Sequence, residues 1–262
     1  MNTSYRYCCH NTDAHVHFEH QPYTRETLEK MVKTAMDHGI TELRVLDHTH
    51  KFLDFDPLYE PTKTDPVTYK WYRNHKQIPL KVYEDFIAEM KKENWPITVK
   101  FGLEVCYFPQ TEDWLRDFLS GHSFDFLIGS IHFVDGYAID LTRDIYFYHN
   151  VNTVYKRYYA IMELCITSGL FDHLGHPDSI KVFETYPDYN LEKEYIRIAE
   201  ALQKAGMTTE NNTGLKRYHY PYLGIHPYFG EILKQHHVPV LMSSDAHVAD
   251  DVGFGYELAK FQ

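Results

Sequence analysis

Val238-Pro239-Val240-Leu241-Met242-Ser243-Ser244-Asp245-Ala246-His247 is the stretch whose reading decides the fold. A short apolar run that stops at Ser-Ser-Asp reads as a buried strand delivering its last side chains to a pocket. On an extended chain alternate side chains face the same way. The spacing therefore predicts that Asp245 and His247 share one cavity, as an oxygen and a nitrogen donor for a divalent metal. The same arrangement recurs upstream in Asp13-Ala14-His15-Val16-His17, Leu46-Asp47-His48, Gly102-Leu103-Glu104-Val105, Gly129-Ser130-Ile131-His132 and Leu174-Gly175-His176-Pro177. Each closes an apolar or β-branched run and supplies His, Asp or Glu. One such motif is weak; their repetition points to a multinuclear metal site.

Helical stripes lie between these strand ends. They are Leu28, Met31, Val32 and Ala35 before Gly39; Val82, Phe86, Ile87 and Met90 before Pro96; Trp114, Leu115 and Phe118; Val154, Tyr158, Ile161, Met162 and Cys165 before Gly169; Leu191, Tyr195, Ile198, Ala199 and Leu202 before Gly206; and Tyr228 to His237. Seven strand ends, near His17, His48, Glu104, His132, His176, Asn212 and Asp245, thus alternate with helices. Alternation implies parallel strands joined by crossovers, and in a closed barrel every C-terminal strand end opens on one face. A doubly wound open sheet gathers fewer ligands, because only strands near its switch point share a crevice. The expected fold is α/β, a TIM-like barrel with the metal site at the C-terminal ends of its strands.

No repeat, low-complexity tract or Gly/Ser linker interrupts residues 1–262, so one domain is expected. Between Lys51 and Pro79 the pattern gives way to Pro57, Pro61 and Pro66 with Tyr59, Tyr69, Trp71 and Tyr72. A long loop insertion at about 51–80 is expected there, as a lid or pocket wall or as a surface excursion with its own aromatic cluster.

A hydrophobic content of 44% over 262 residues suffices for a sizeable core. No apolar run approaches the roughly 18 residues needed to cross a bilayer. The stretch Met1-Asn2-Thr3-Ser4-Tyr5-Arg6-Tyr7 lacks the order of a secretory signal, so a cytoplasmic protein without a membrane partner is expected. The net charge of −11 opposes general nucleic-acid binding. It is compatible with a small phosphorylated substrate, because metal-binding carboxylates are counted in the formal charge while their cations are not. Cys8, Cys9, Cys106 and Cys165 show no paired spacing and are expected as free thiols. Cys106, two residues beyond Glu104, packs or stands behind a ligand.

Taken in order, His15-Val-His17, Asp47-His48, Gly102-Leu-Glu104-Val, Ser130-Ile-His132, His176-Pro-Asp178, Glu210-Asn-Asn-Thr-Gly and Ser244-Asp245-Ala-His247 resemble the motifs of the polymerase-and-histidinol-phosphatase (PHP) family. The match runs from about residue 11 to 255 and is closest to the histidinol-phosphatase branch. The resemblance implies a distorted (β/α)7 TIM-like barrel, a single PHP-type domain, and two to three divalent transition metal ions. It implies that His15, His17, Glu104 and Asp245 hold the first metal, that Glu104 bridges to a second bound also by His132 and His176, and that His48 and His247 hold a third. A further ligand to the third metal is expected after His17; Glu19, His20 and Tyr23 are the candidates, and His20 is selected. A basic residue after the Asn-Thr-Gly motif is implied as a phosphate clamp, a place that Lys216 or Arg217 fills. No Arg follows His247, a departure that bears on the substrate rather than on the reaction.

Phosphate monoesters hydrolyse so slowly that enzymes acting on them supply accelerations of up to about 10²¹. The chemistry expected is attack on phosphorus by a hydroxide bridging two metals, with Glu104 as the bridging carboxylate and Asp245 orienting the nucleophilic water. Arg217 and Lys216 would bind phosphate. Mixed imidazole and carboxylate donors suit zinc, manganese or iron. L-histidinol phosphate is the first substrate to test. The rivals are a metal-dependent amidohydrolase or deaminase and a non-catalytic metal-binding regulatory module. His50 and His173 are read as structural or as supports behind ligands. His10, His38, His75, His122, His149, His236 and His237 are given surface or capping roles. Asp13 and Asp47 orient adjacent imidazoles or cap turns; Tyr218, His219, Tyr220 and Tyr222 line the pocket or form an aromatic surface loop.

Overall fold

In the computed structural model, which describes residues 8, 9, 11–218, 222 and 224–259, each expected apolar run contains a strand. The barrel strands are β1 (Thr12–His17), β2 (Glu42–Leu46), β3 (Thr98–Cys106), β4 (Phe126–Ser130), β5 (His173–Leu174), β6 (Thr208–Asn212) and β7 (Val240–Ser243). Each pairs in parallel with the next, from β1 to β7. The ring is nearly closed by a parallel bridge between Val16 and Ala246, where the His17 N–H donates to the Ala246 carbonyl at 2.7 Å. Cys8–Cys9 adds a short strand on the far side of β7.

The crossovers are made by α1 (Arg25–Asp37), α2 (Pro66–Asn74), α3 (Leu80–Met90), α4 (Glu112–Leu119), α5 (Asp144–Tyr148), α6 (Val151–Thr167), α7 (Glu192–Ala205) and α8 (Pro227–Gln235). Their apolar stripes pack on the strands: Leu28, Met31, Val32 and Ala35 of α1, and Tyr195, Ile198, Ala199 and Leu202 of α7, are all buried. At the α7 C-terminus Gly206 takes φ +66°, a left-handed conformation that a side chain would strain. One stripe differs from expectation: Val82 is 46% exposed. In α3 the inward face runs through Leu80, Tyr83, Phe86, Ile87 and Met90, anchored where the buried Tyr83 hydroxyl donates to the Gly102 carbonyl at 3.1 Å.

Residues 51–80, expected as a loop, are mostly helical: a 3-10 segment, Leu53–Thr64, leads into α2. The proline read as a breaker is a starter. Asp65 caps α2 by accepting from the Thr68 N–H at 2.9 Å, and Pro66 occupies the first turn, where its missing N–H leaves no bond unmade. Tyr59 and Tyr72, both buried, stack with ring centres 4.4 Å apart and join the two pieces. Among the described residues no helix is long and apolar enough to cross a membrane.

Candidate metal centre

Glu104 stands inside β3, two residues before its end, with its carboxylate fully buried. Its two oxygens face different imidazoles. Oε1 lies 2.8 Å from His176 Nε2 and 3.2 Å from His132 Nε2. Oε2 lies 2.8 Å from His48 Nδ1, 3.1 Å from His15 Nε2 and 3.4 Å from His17 Nε2. Burial pushes the Glu104 carboxyl up, but the surrounding His48, His15 and His132 outweigh it and hold the group well below the usual carboxylate range. Burial drives the His17 imidazole the other way, well down, so it keeps the neutral form that donates a lone pair.

Asp245 reaches this cluster differently from expectation. β7 ends at Ser243, and Asp245 has φ +50°, so strand alternation with His247 does not apply. Aspartate tolerates this left-handed conformation better than most residues. The turn sets Oδ1 3.2 Å from His17 Nε2, while Oδ2 accepts from Asn212 Nδ2 at 3.0 Å. His247, beyond the turn, donates Nδ1 to the Asp245 carbonyl at 2.9 Å. Two side chains hold the turn. Asp13, buried, accepts from the Ser244 N–H at 2.9 Å, the Ser244 hydroxyl at 2.6 Å and the Gly253 N–H at 3.0 Å. Arg217 Nη2 donates to the carbonyls of Ser244 and Asp245. Gly214 lets the Asn-Thr-Gly segment approach, since a Cβ there would stand 2.7 Å from the Asp245 Cβ.

A second buried carboxylate, Glu210 on β6, appeared in the sequence only as part of a motif. It lies 3.2 Å from His15 Nδ1 and 3.1 Å from His173 Nε2, and it accepts from the His176 N–H at 2.9 Å. Glu210 therefore fixes the His15 ring from behind, the arrangement that orients a metal-ligating histidine and sets its tautomer. His173 is buried, and its other nitrogen meets the Thr208 hydroxyl at 2.6 Å. Cys106 Sγ sits in the same relation to His132, 3.2 Å from Nδ1. Asp47 accepts from the His48 N–H at 3.0 Å and from Tyr23 and Lys51, so it fixes the turn rather than an imidazole.

At the rim the structure brings Glu19, not His20, to the cluster. The His20 side chain is 66% exposed and lies 4.0 Å from Glu19 Oε2. Glu19 Oε2 is 3.1 Å from His247 Nε2 and 3.8 Å from His48 Nε2. The chain turns immediately after β1, which swings position 19 inward and position 20 out to solvent. Tyr23 donates its hydroxyl to Asp47 at 2.6 Å and does not reach the imidazoles. The clamp also departs from expectation. Lys216 is exposed, the Arg217 guanidinium is turned to backbone carbonyls, and the cavity's described lining residues include no lysine or arginine. Of the tyrosine loop, His219 and Tyr220 and the side chain of Tyr218 lie outside the described residues, as does His10; Tyr222 packs edge-on to His226.

The donor set fits metal ions. His15 Nε2, His17 Nε2, His48 Nδ1 and Glu104 Oε2 are buried and close together but make no well-aligned hydrogen bond, and a buried polar atom left unsatisfied costs about 1–3 kcal/mol. Ligating atoms of three groups, His15/His17/Glu104, His48/Glu104/His132 and His17/His48/His247, lie within 4.8 Å of one another. A cavity of about 390 Å³ opens on them, walled by Trp71, Phe133, Leu141, Val182 and Leu215.

A family model described as the PHP domain matches residues 13–214. The chain belongs to the PHP domain family. Among its relatives, the histidinol-phosphatase of Bacillus subtilis is 28% identical over 268 residues, covering 94% of this chain and 96% of that protein. A "probable histidinol-phosphatase" of Deinococcus radiodurans is 25% identical over 253 residues, covering 93% and 89%. The crystal structure of histidinol phosphate phosphatase from Lactococcus lactis, complexed with zinc, L-histidinol and phosphate, shares the fold with a TM-score of 0.70, at 18% identity, over 96% of this chain and 92% of that one. The TIM-like barrel expected from the strand endings, and from the resemblance as a PHP barrel, is the fold found.

Proposed function

We propose that this PHP protein is a metal-dependent phosphomonoesterase of histidinol-phosphatase type, with a small phosphate ester as substrate. The observation that carries the reading is the division of Glu104, whose two oxygens each face a separate set of imidazoles. A carboxylate so placed suits two cations side by side. The names carried by the Bacillus and Deinococcus relatives support the reaction class.

His15, His17, Glu104 and Asp245 would hold one ion, Glu104, His132 and His176 a second, and His48, His247 and Glu19 a third, drawn from zinc, manganese or iron. When bound, such ions lower the pKa of a water toward neutrality and polarise phosphate oxygens, which is the assistance a phosphate ester needs. The chain's own part is placement. Glu210 and Cys106 fix the ligand rings from behind, and Asn212 holds one Asp245 oxygen so that the other faces His17. Arg217 acts on Asp245 through its carbonyl, which makes it a positioning residue in place of the clamp expected from sequence. Trp71 and Phe133 offer apolar ring faces on which an imidazole-bearing substrate can stack. The chain is read as one domain over 1–262 with residues 51–80 as a wall of its pocket, acting in the cytoplasm without nucleic-acid or membrane partners.

The test is phosphate release from L-histidinol phosphate and a panel of other phosphomonoesters, using protein loaded separately with zinc, manganese and iron. Turnover of phosphomonoesters is expected. Activity confined to amides or to deamination rejects the proposal, and no turnover with any ion favours a binding module.

A further inference from the structure

Glu19 has a second oxygen. While Oε2 faces His247 and His48, Oε1 lies 3.3 Å from Nε2 of His50, on the opposite side of the carboxylate. Beyond His50 stands His75, the residue that ends α2, with the two rings edge-to-face and their centres 4.6 Å apart. His75 Nδ1 is 2.9 Å from the Trp71 carbonyl, a bond that consumes the Nδ1 proton and leaves Nε2 with a free lone pair. An imidazole tethered to a backbone carbonyl through one nitrogen is how a metal-ligating histidine is usually held. His50 is held too: it is buried on the turn Thr49–Lys51, and its carbonyl accepts from Gln77 Nε2 at 3.2 Å. Ligating atoms of Glu19, His50 and His75 all lie within 4.8 Å of one another, as do those of each of the three groups of the central cluster. All three residues also line the cavity.

We infer an accessory divalent-metal site at the cavity rim, formed by Glu19, His50 and His75, for a borderline transition ion of the zinc class. Two imidazoles and one carboxylate with an open position toward the cavity form a donor set that zinc takes readily. Glu19 then bridges this ion to the His48/His247 ion, so the inference rests on the metal centre proposed above. The ligands come from three places: the turn after β1, the turn after β2, and the end of the 51–80 insertion. Binding at this site ties the insertion, and with it Trp71, to the barrel rim. The aromatic wall of the pocket is thereby ordered by metal loading.

The experiment measures zinc bound per chain, by elemental analysis after equilibration with zinc and removal of free ion, in wild type, His75→Gln and Glu104→Gln. His75 is partly exposed at a helix end, and circular dichroism checks that its variant folds. One equivalent fewer in His75→Gln than in wild type is expected. Equal zinc in those two proteins overturns the rim site. If Glu104→Gln then holds less, the central cluster stands without it; if Glu104→Gln also matches wild type, the central cluster falls as well. A raised Michaelis constant in His75→Gln with unchanged zinc makes His75 a substrate contact and overturns the inference. A second measurement needs no variant: amide hydrogen exchange in residues 66–74 of wild type is expected to slow when the last equivalent of zinc is added. Exchange there that is indifferent to zinc overturns the proposal.

Discussion

Glu104 and Glu19 are each ringed by imidazoles on both oxygens, yet they sit in different mechanical settings. Glu104 is on a nine-residue strand between two paired neighbours, with no exposed surface. Glu19 is on the turn after β1, with 15% of its side chain exposed. Strand placement fixes a side chain through the ladder on both sides, whereas a turn fixes it only through its own contacts. The contrast teaches that the centre has a rigid half, built from β1 and β3, and an adaptable half, built from turns and the insertion.

Substitutions that remove one charge while keeping shape sharpen this contrast. Glu104→Gln is expected to lower phosphate release by more than about 10³-fold while the circular dichroism spectrum is kept, a loss beyond the 10–100-fold typical of an outer partner. Retention of activity within about tenfold breaks the assignment of Glu104 as the shared ligand. Glu19→Gln should cost less, about 10–100-fold, and should release zinc from the rim first. Equal losses in the two variants would show that the two halves act as one. Steady-state kinetics of Arg217→Ala separate positioning from phosphate contact. About a tenfold lower kcat with little change in KM is expected from a loosened Asp245 turn, and a raised KM with kcat intact would return the guanidinium to the phosphate.

The smallest effect is on the stability of the metal-free protein. Burial raises the carboxyls of Glu104 and Asp245, but their imidazole neighbours outweigh it, and both are held well below the usual range. A folded value below the unfolded one contributes stability above the unfolded pKa, about 4, that is lost as pH falls through the folded value. The melting temperature should therefore fall below about pH 4, by about 2–4 °C for each kcal/mol lost. A melting temperature unchanged between about pH 6 and pH 3 contradicts the folded charge state assigned to these carboxylates.

Much of the centre was legible because each donor follows an apolar run, and strand period places such residues at a strand end. His15, His17, His48, Glu104, His132 and His176 came from that pattern and lie together. Asp65-Pro66 was a readable helix start, since a capping aspartate before proline is a known signature, and the aromatic clutter around it hid the sign. Glu210 was legible only through the Asn-Thr-Gly motif, because its strand reads Thr-Thr-Glu-Asn-Asn and no apolar run marks it. The choice between Glu19 and His20 was not legible, because neighbouring residues in a turn differ only by a backbone rotation that periodicity does not report.

Sequence alone determined the barrel, its parallel order and the residue types that gather at one rim, because apolar periodicity and strand endings are local properties. Tertiary structure decided which oxygen of each carboxylate faces which ring, that Arg217 supports a turn, and that His75 returns from the insertion to stand beside Glu19. Those outcomes depend on contacts between segments far apart in the chain, as between Asp13 and Gly253, 240 positions apart, and on the left-handed turn at Asp245. Such relations arise only when the ring of strands closes.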